Sequence, residues 1–162
     1  GGQTAWLLSG PDFDEAAIAD GCAAAGGCTD AEQAAFETRS VDDRIVAVGP
    51  MAGAAGPNLV ADEGWAAMDR SVLYMTGSAD NDGSVAFAAA SEGDVTWIEL
   101  AEGCHESFTA TELPCDLDKG QSLTIAATYL THFGSKAVWG WDGGDAILDG
   151  SEEVDPVAAF HR

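Results

Sequence analysis

The chain has 162 residues, of which 46% are apolar, and this composition is sufficient for one globular domain with a buried core. Its 28 acidic residues outnumber the 6 basic ones and give a formal net charge of −22, which excludes a protein that binds nucleic acids or an anionic membrane surface. No apolar stretch reaches the roughly 20 residues that a transmembrane helix requires.

The first forty residues predict three short helices, at residues 1–9, 14–25 and 29–39. Gly10-Pro11 ends the first of them. In the third, Thr29 is the predicted N-cap, and Glu32 three positions later completes a capping box. Glycines and two cysteines surround the second and third helices. We therefore interpret residues 10–40 as a helical insertion in the domain.

Apolar runs of strand length follow the insertion and alternate with helical patterns. Strands are predicted from Arg44 to Met51, from Ser71 to Thr76 and from Asp94 to Leu100, a short turn or helix at residues 62–69, and helices at residues 84–91 and 120–133. On the last helix the predicted apolar face comprises Leu123, Ala126, Ala127, Leu130 and Phe133. Such alternation favours an α/β fold, in which helices pack on a sheet of parallel strands.

The end of the chain, residues 139–162, is polar and rich in glycine and aspartate, and it predicts a weakly structured tail. Three buried strands are few for a sheet that must be covered on both faces. We therefore interpret the whole chain, residues 1–162, as part of a single larger α/β domain.

The four cysteines form two local pairs. Cys22 and Cys28 flank a turn rich in alanine and glycine, and Cys104 and Cys115 flank a polar loop. Of the three possible pairings, only this one closes two short loops. The spacings lack the close C-x-x-C pairs that zinc sites usually have. We therefore predict two disulfides, which imply an oxidising location, secreted or periplasmic.

Candidate catalytic residues follow two of the predicted strands. One strand runs into Gly77-Ser78-Ala79-Asp80, and the next runs into a loop that contains His105. Ligands bind at the carboxyl ends of the strands in such proteins. A carboxylate beside a histidine holds the imidazole in one tautomer and stabilises the imidazolium formed during proton transfer. An aspartate after a strand is also a common turn residue, and Asp82 is the alternative acid.

Gly-Ser-Ala-Asp after one apolar strand and Gly-x-His-x-Ser-Phe after another resemble the last two triad segments of α/β-hydrolases. The sequence is most similar to secreted esterases of the dienelactone-hydrolase-like and chlorophyllase-like type, whose relatives include polyester hydrolases and platelet-activating-factor acetylhydrolases. The resemblance covers most of residues 1–10 and 41–150. It implies the C-terminal part of a doubly wound, mostly parallel α/β-hydrolase sheet. Asp80 matches the triad acid of a carboxylic ester hydrolase, and His105 matches its base.

The nucleophile motif of that family, Gly-x-Ser-x-Gly, does not occur in the chain. The residues from Gly1 to Trp6 resemble the sequence immediately after the nucleophile. The resemblance therefore implies a partner segment upstream, whose serine lies two residues before Gly1 and which also supplies the oxyanion hole. The expected substrate is a small-molecule or polymeric ester, and no cofactor or metal is implied. The chain alone is not expected to hydrolyse esters by this mechanism.

Aromatic residues could also form part of a binding site. Trp65 lies between two predicted strands near their carboxyl ends and is the candidate for lining an acyl or aromatic pocket, although aromatic residues are mainly core material. Trp97 is interpreted as part of the sheet core. His132 is expected on the surface of the last helix and His161 in the tail, and neither has an assigned role.

The acidic turns at residues 80–83 and 116–120 raise the alternative of divalent-cation binding. Neither turn has the glycine and glutamate positions of an EF-hand loop. The second functional hypothesis is therefore a non-catalytic, acidic extracellular module that binds a cation or a protein. Such a module would have to fold without further strands, and an open, apolar sheet edge argues against it.

Overall fold

The computed structural model has an α/β fold in which helices pack on a four-stranded sheet. The structure describes residues 2–37, 42–53, 60, 62–80, 94–109 and 114–161, so the predicted helix at 84–91 and the alternative acid Asp82 lie outside the described residues. The helices are α1 (Gly2–Leu7), α2 (Glu15–Ala24), α3 (Asp30–Glu37), α4 (Lys119–Trp139) and α5 (Asp145–Leu148), with 3₁₀ turns at Asp62–Ala67 and His105–Phe108. The strands are β1 (Ala47–Val48), β2 (Ser71–Gly77), β3 (Val95–Leu100) and β4 (Ala158–His161).

The sheet has the strand order β1-β2-β3-β4. The first three strands are parallel, as the alternating pattern predicted, with Val72 opposite Val95 in the β2–β3 pair. The β1 strand is shorter than predicted, because the residues before it form a turn in which the Ile45 N–H donates to the Asp42 carbonyl at 2.9 Å, and because Pro50, which has no N–H to donate, follows it closely. The Pro50 carbonyl still accepts from the Met75 N–H at 3.1 Å.

The prediction of a weakly structured tail was wrong. Residues 158–161 form β4, which pairs antiparallel with β3 and sets Phe160 opposite Ile98. A four-residue strand at the end of a polar, acidic stretch has too little pattern to be recognised alone. It forms because β3 offers a free edge and because Val157 and Phe160 pack against the core.

The core lies on both faces of β2, whose residues Val72–Thr76 are all buried. Leu73 and Met75 pack into the cluster beneath α4 and α5, whereas Val72 and Tyr74 pack into a second cluster on the opposite face. A strand buried on both faces is typical of a central strand in a layered α/β sheet.

Helix α4 begins after Asp118, whose carboxylate accepts from the Gln121 N–H, and ends at Gly140, which has a left-handed φ of 64°. Its buried face comprises Ser122, Ile125, Ala126, Tyr129 and Phe133. The predicted face was therefore wrong in part, since Leu123 is exposed and Ala127 also faces outward.

The predicted disulfides are confirmed: Cys22 pairs with Cys28 and Cys104 with Cys115. The capping box of α3 is also confirmed, because Glu32 accepts from the Thr29 N–H at 2.8 Å while its own N–H donates to the Thr29 hydroxyl at 3.3 Å. Among the described residues, no helix combines the length and the apolar character needed to cross a membrane.

Candidate functional site

The turn after β2 places Asp80 at the carboxyl edge of the sheet. Two N–H groups of this turn donate to carbonyls that follow or end β3: Ser78 to Leu100 and Ala79 to Gly103, both at 2.9 Å. The backbone before Asp80 is therefore fixed directly to the backbone that leads to the histidine.

Gly77 and Gly103 bring these two segments into backbone contact. A Cβ atom on Gly77 would overlap the carbonyl of Gly103, and a Cβ atom on Gly103 would lie 3.1 Å from the Cα atom of Gly77. Only a residue without a side chain permits this approach. The two glycines of the sequence motifs therefore set the separation between the acid-bearing turn and the histidine-bearing loop.

His105 begins the 3₁₀ turn that follows β3. Between the strand and this turn, Glu102 adopts a left-handed φ of 61°, and the Gly103 N–H returns to the Leu100 carbonyl at 3.0 Å. A non-glycine residue in this conformation costs roughly 1–2 kcal/mol. The reversal brings His105 back towards the end of β2, where Asp80 lies.

The structure brings the two predicted catalytic residues together. Nδ1 of His105 lies 3.3 Å from Oδ2 of Asp80. This is an ion-pair distance slightly longer than a normal N–H···O hydrogen bond, and catalytic contacts often tighten only when substrate binds. The Asp80 side chain is 9% exposed and the His105 side chain 58% exposed, so a buried acid faces a base that solvent can reach.

This arrangement has a defined chemical capacity. Because Nδ1 faces the carboxylate, Nε2 is the ring nitrogen that remains to exchange a proton with another group. When the ring takes up that proton, the Asp80 carboxylate stabilises the resulting imidazolium at close range. The pair can therefore act as a general base and then as a general acid.

The disulfide Cys104–Cys115 closes the loop that carries His105, with a Cα–Cα distance of 5.8 Å. Inside this loop, Ser107 is buried, and its hydroxyl accepts from the Cys104 N–H at 2.9 Å. The residues on both sides of the histidine are thus tied to each other covalently and by hydrogen bonding.

Helix α1 begins at the same edge of the sheet. Gly2 lies against the backbone of Gly53, where a Cβ atom on Gly2 would overlap the Gly53 Cα, and the Trp6 indole N–H donates to the Gly53 carbonyl at 3.2 Å. Just before Gly53, Met51 bridges to Met75 near the end of β2. The beginning of α1 is therefore held beside the carboxyl ends of β1 and β2.

Trp65 is fully buried in the second core cluster. Its ring lies edge-on to Trp6, with the ring centroids 5.8 Å apart, and Trp6 in turn packs on Tyr74 at 5.2 Å. In the described part of the chain Trp65 is a core residue, and its role in an acyl pocket stays a prediction.

Two places in the described structure carry groups that could ligate a cation. In the acidic turn at 116–120, Asp118 is used as the N-cap of α4. Among the described residues, one cluster has ligand atoms close enough to hold a metal ion, namely Cys104, Glu106 and Cys115, and its two sulfurs are already bonded to each other. A disulfide does not offer the thiolates that soft metals prefer.

The other two histidines lie away from Asp80. His132 is half-buried on α4, and its ring stacks on Trp141 with the centroids 5.5 Å apart. His161 lies in β4, stacked on Trp97 at 4.1 Å and with Nε2 3.8 Å from a Glu99 carboxylate oxygen. Both histidines therefore contribute to packing.

Comparison with protein-family models, curated proteins and solved structures found no match to this chain. Sequence reasoning identified Asp80 and His105, but it assigned no role to Ser107 or to Ser122, which contacts the histidine loop from α4. The one available signal for Ser122 is its spacing to Ile125 and Tyr129, which puts a serine in the buried stripe of the helix.

Proposed function

We propose that this chain supplies the acid and the base of the catalytic triad of a carboxylic ester hydrolase of the α/β-hydrolase type. The nucleophilic serine belongs to an upstream Gly-x-Ser-x-Gly segment. The observation that carries the proposal is the contact between Asp80 and His105, 3.3 Å apart at the carboxyl edge of parallel strands. A buried aspartate facing one nitrogen of an accessible histidine is the arrangement that base catalysis requires.

Two further features support this proposal over a simple turn aspartate. The order of acid and base along the chain is that of α/β-hydrolases, in which the serine comes first, then the acid and then the histidine. The backbone contact between Gly77 and Gly103 also brings the two loops together at the cost of excluding any side chain there.

The position of α1 supports an upstream nucleophile. In α/β-hydrolases the serine lies on a sharp turn between a strand and a helix. Gly2, at the start of α1, is packed on Gly53 beside the carboxyl ends of β1 and β2. A serine two residues before Gly1 would therefore enter the structure on the edge that carries Asp80 and His105.

The proposed reaction proceeds through an acyl-enzyme. Nε2 of His105 takes the proton of the serine hydroxyl as its oxygen attacks the ester carbonyl carbon, and Asp80 stabilises the imidazolium. The histidine then returns the proton to the departing alcohol. In the second half, the histidine deprotonates a water molecule whose oxygen attacks the acyl carbon, and it returns that proton to the serine oxygen as the acid product leaves.

The two disulfides support placing this function outside the cytosol, in a secreted or periplasmic enzyme. The net charge of −22 favours neutral or cationic ester substrates over strongly anionic ones, because an anionic substrate would be repelled on approach.

A fluorophosphonate probe tests the proposal in the native protein. We expect intact mass under denaturing conditions to show one probe adduct on the serine of a Gly-x-Ser-x segment, which is either continuous with this chain through Gly1 or forms the end of an associated polypeptide. A folded sample in which nothing is labelled would contradict the hydrolase proposal and leave the acidic binding module as the better hypothesis.

Substitution of the pair tests the assigned roles in the labelled enzyme. Asp80→Asn keeps the shape of the side chain but removes its charge, and His105→Ala removes the base. Each is expected to lower kcat for a p-nitrophenyl ester by roughly 10⁴-fold. His132→Ala is the matched control, since His132 contacts Trp141 and lies outside the pair, and it should leave turnover unchanged.

A further inference from the structure

The first turn of α4 packs against the 3₁₀ turn that carries His105. The hydroxyl of Ser122 donates to the Ser107 carbonyl at 2.8 Å, and Nζ of Lys119 donates to the Glu106 carbonyl at 2.7 Å. Two consecutive carbonyls immediately after the histidine are therefore bound by side chains of one helix.

Ser122 is an unusual residue for its position. It has no exposed surface and shares the buried face of α4 with Ile125 and Tyr129. A buried hydroxyl without a partner costs about 1–3 kcal/mol, so a serine in such a place has to be hydrogen-bonded. Its hydroxyl also lies 3.0 Å from the Lys119 carbonyl, but its single proton has the shorter contact with Ser107.

Ser107 links the hydrogen bond from Ser122 to the backbone around His105. Its N–H donates to the Cys104 carbonyl at 3.0 Å, and its hydroxyl accepts from the Cys104 N–H at 2.9 Å. Cys104 and Ser107 thus bracket His105 in a closed turn. The anchor from Ser122 fixes that turn as a unit against α4.

The exposure of His105 makes such an anchor necessary. With 58% of its side chain exposed, the imidazole is not held by surrounding packing, so its orientation depends on its backbone and on Asp80. A displacement of about 1 Å in a catalytic group can cost about 10²-fold in rate. The residues that fix the backbone of His105 therefore determine how accurately its imidazole is placed against Asp80.

We infer that Ser122 is a positioning residue for His105, acting through the Ser107 carbonyl, with Lys119 as its weaker companion. The inference rests on the proposed function, since it assigns Ser122 to the same acid–base pair. Ser122 touches neither Asp80 nor a reacting atom and is not a catalytic residue.

The test compares Ser122→Ala with Thr124→Ala in the complete hydrolase. Both changes remove a hydroxyl from the same part of α4, but the Thr124 hydroxyl donates to the Gly120 carbonyl of its own helix at 2.7 Å and does not reach the histidine loop. We expect Ser122→Ala to lower kcat by about 10-fold with KM within 2-fold, and Thr124→Ala to change neither by more than 2-fold.

A second readout does not depend on turnover. Ring ¹⁵N resonances of His105 report the protonation and contact of each nitrogen, and we expect them to move in Ser122→Ala but not in Thr124→Ala. If kcat and these resonances both stay at their wild-type values in folded Ser122→Ala, the inference is overturned. A wild-type protein without esterase activity would instead contradict the proposed function, while the resonances would still test the positioning.

If Ser122→Ala does not fold, Lys119→Met provides a second test of the inference. Lys119 is only half-buried, so its replacement leaves the interior of α4 intact. We expect a loss of kcat of about 3-fold, with the same direction of change in the His105 resonances. Unchanged kcat and unchanged resonances in this folded variant would equally overturn the inference.

Discussion

Two disulfides close short loops in this chain, one in a largely exposed region and the other in a region packed against the core. The cysteine hairpin, residues 15–37, contains Cys22–Cys28, and of its described side chains from 15 to 35 Ile18 alone is buried. The histidine loop, residues 101–117, contains Cys104–Cys115, and its Ser107 and Leu117 are buried against the sheet and α4.

The difference shows what a disulfide can and cannot do by itself. In the hairpin, a Cβ atom on Gly26 would have no neighbour within 4 Å, so the bond closes a turn in open space. In the histidine loop, the Leu117 N–H donates to the Glu102 carbonyl at 3.2 Å, and Ser122 holds the Ser107 carbonyl. A disulfide limits how far a loop can move, but packing and hydrogen bonds to rigid elements fix its position.

The largest expected effect concerns the contact that joins the histidine loop to the acid turn. Gly77→Ala places a methyl group on the Gly103 backbone, which cannot rotate away as a side chain would. We expect the free energy of unfolding to fall by about 3 kcal/mol, measured by denaturant titration, together with loss of the Asp80–His105 contact.

Gly134→Ala is the matched control for that substitution. Gly134 lies within α4, and a Cβ atom there would have no neighbour within 4 Å. Alanine is the better helix former, so the free energy of unfolding should rise by about 1 kcal/mol. If both alanine variants had the same stability, the backbone contact at Gly77 would not be the constraint that we describe.

The second prediction compares the disulfides directly. By loop-closure entropy alone, both bonds should stabilise the chain by similar amounts, about 2–3 kcal/mol. We expect Cys104→Ser with Cys115→Ser to lower the free energy of global unfolding by that amount, because the loop is part of the core.

Removal of the other bond, by Cys22→Ser with Cys28→Ser, should leave the global transition nearly unchanged. Ile18 is the one side chain of α2 that is buried, so the hairpin is expected to unfold locally. Hydrogen exchange should show faster exchange confined to α2 and α3. An equal loss of global stability in both double variants would show that the hairpin unfolds together with the core.

Features that depend on neighbours in the sequence could be predicted from the sequence. The capping box at Thr29 and both disulfide pairings involve residues that are close along the chain. The meeting of Asp80 and His105 could also be predicted, because parallel strands carry whatever follows them to one edge.

The missed features depend on partners that are distant or weakly patterned. From the sequence alone, Ser122 is expected on the surface, because its hydrogen-bond partner, the Ser107 carbonyl, is distant in the chain. The predicted apolar face of α4 therefore included Leu123 and left out Ser122, whereas the observed buried face includes Ser122. Strand β4 was missed because four residues carry little periodicity and owe their conformation to the edge of β3.

The smallest effect that we predict is the response of the cysteine hairpin to acid. A hydrogen bond from the Thr29 backbone N–H, and then one from the Thr29 hydroxyl, lower the pKa of Glu32 from its ordinary value. Because the folded-state pKa lies below the unfolded one, this stabilisation is present above the unfolded-state pKa and is lost as the pH falls through the folded-state value. Chemical shifts of residues 29–33 should therefore lose helical character in acid, to a small extent because Glu32 is exposed to solvent.

Glu32→Gln retains an acceptor without a titrating group, so it should abolish this pH dependence. Buried core residues such as Leu73 and Ile98 should show no parallel loss of structure, and a simultaneous loss of both would mean that the hairpin unfolds together with the core.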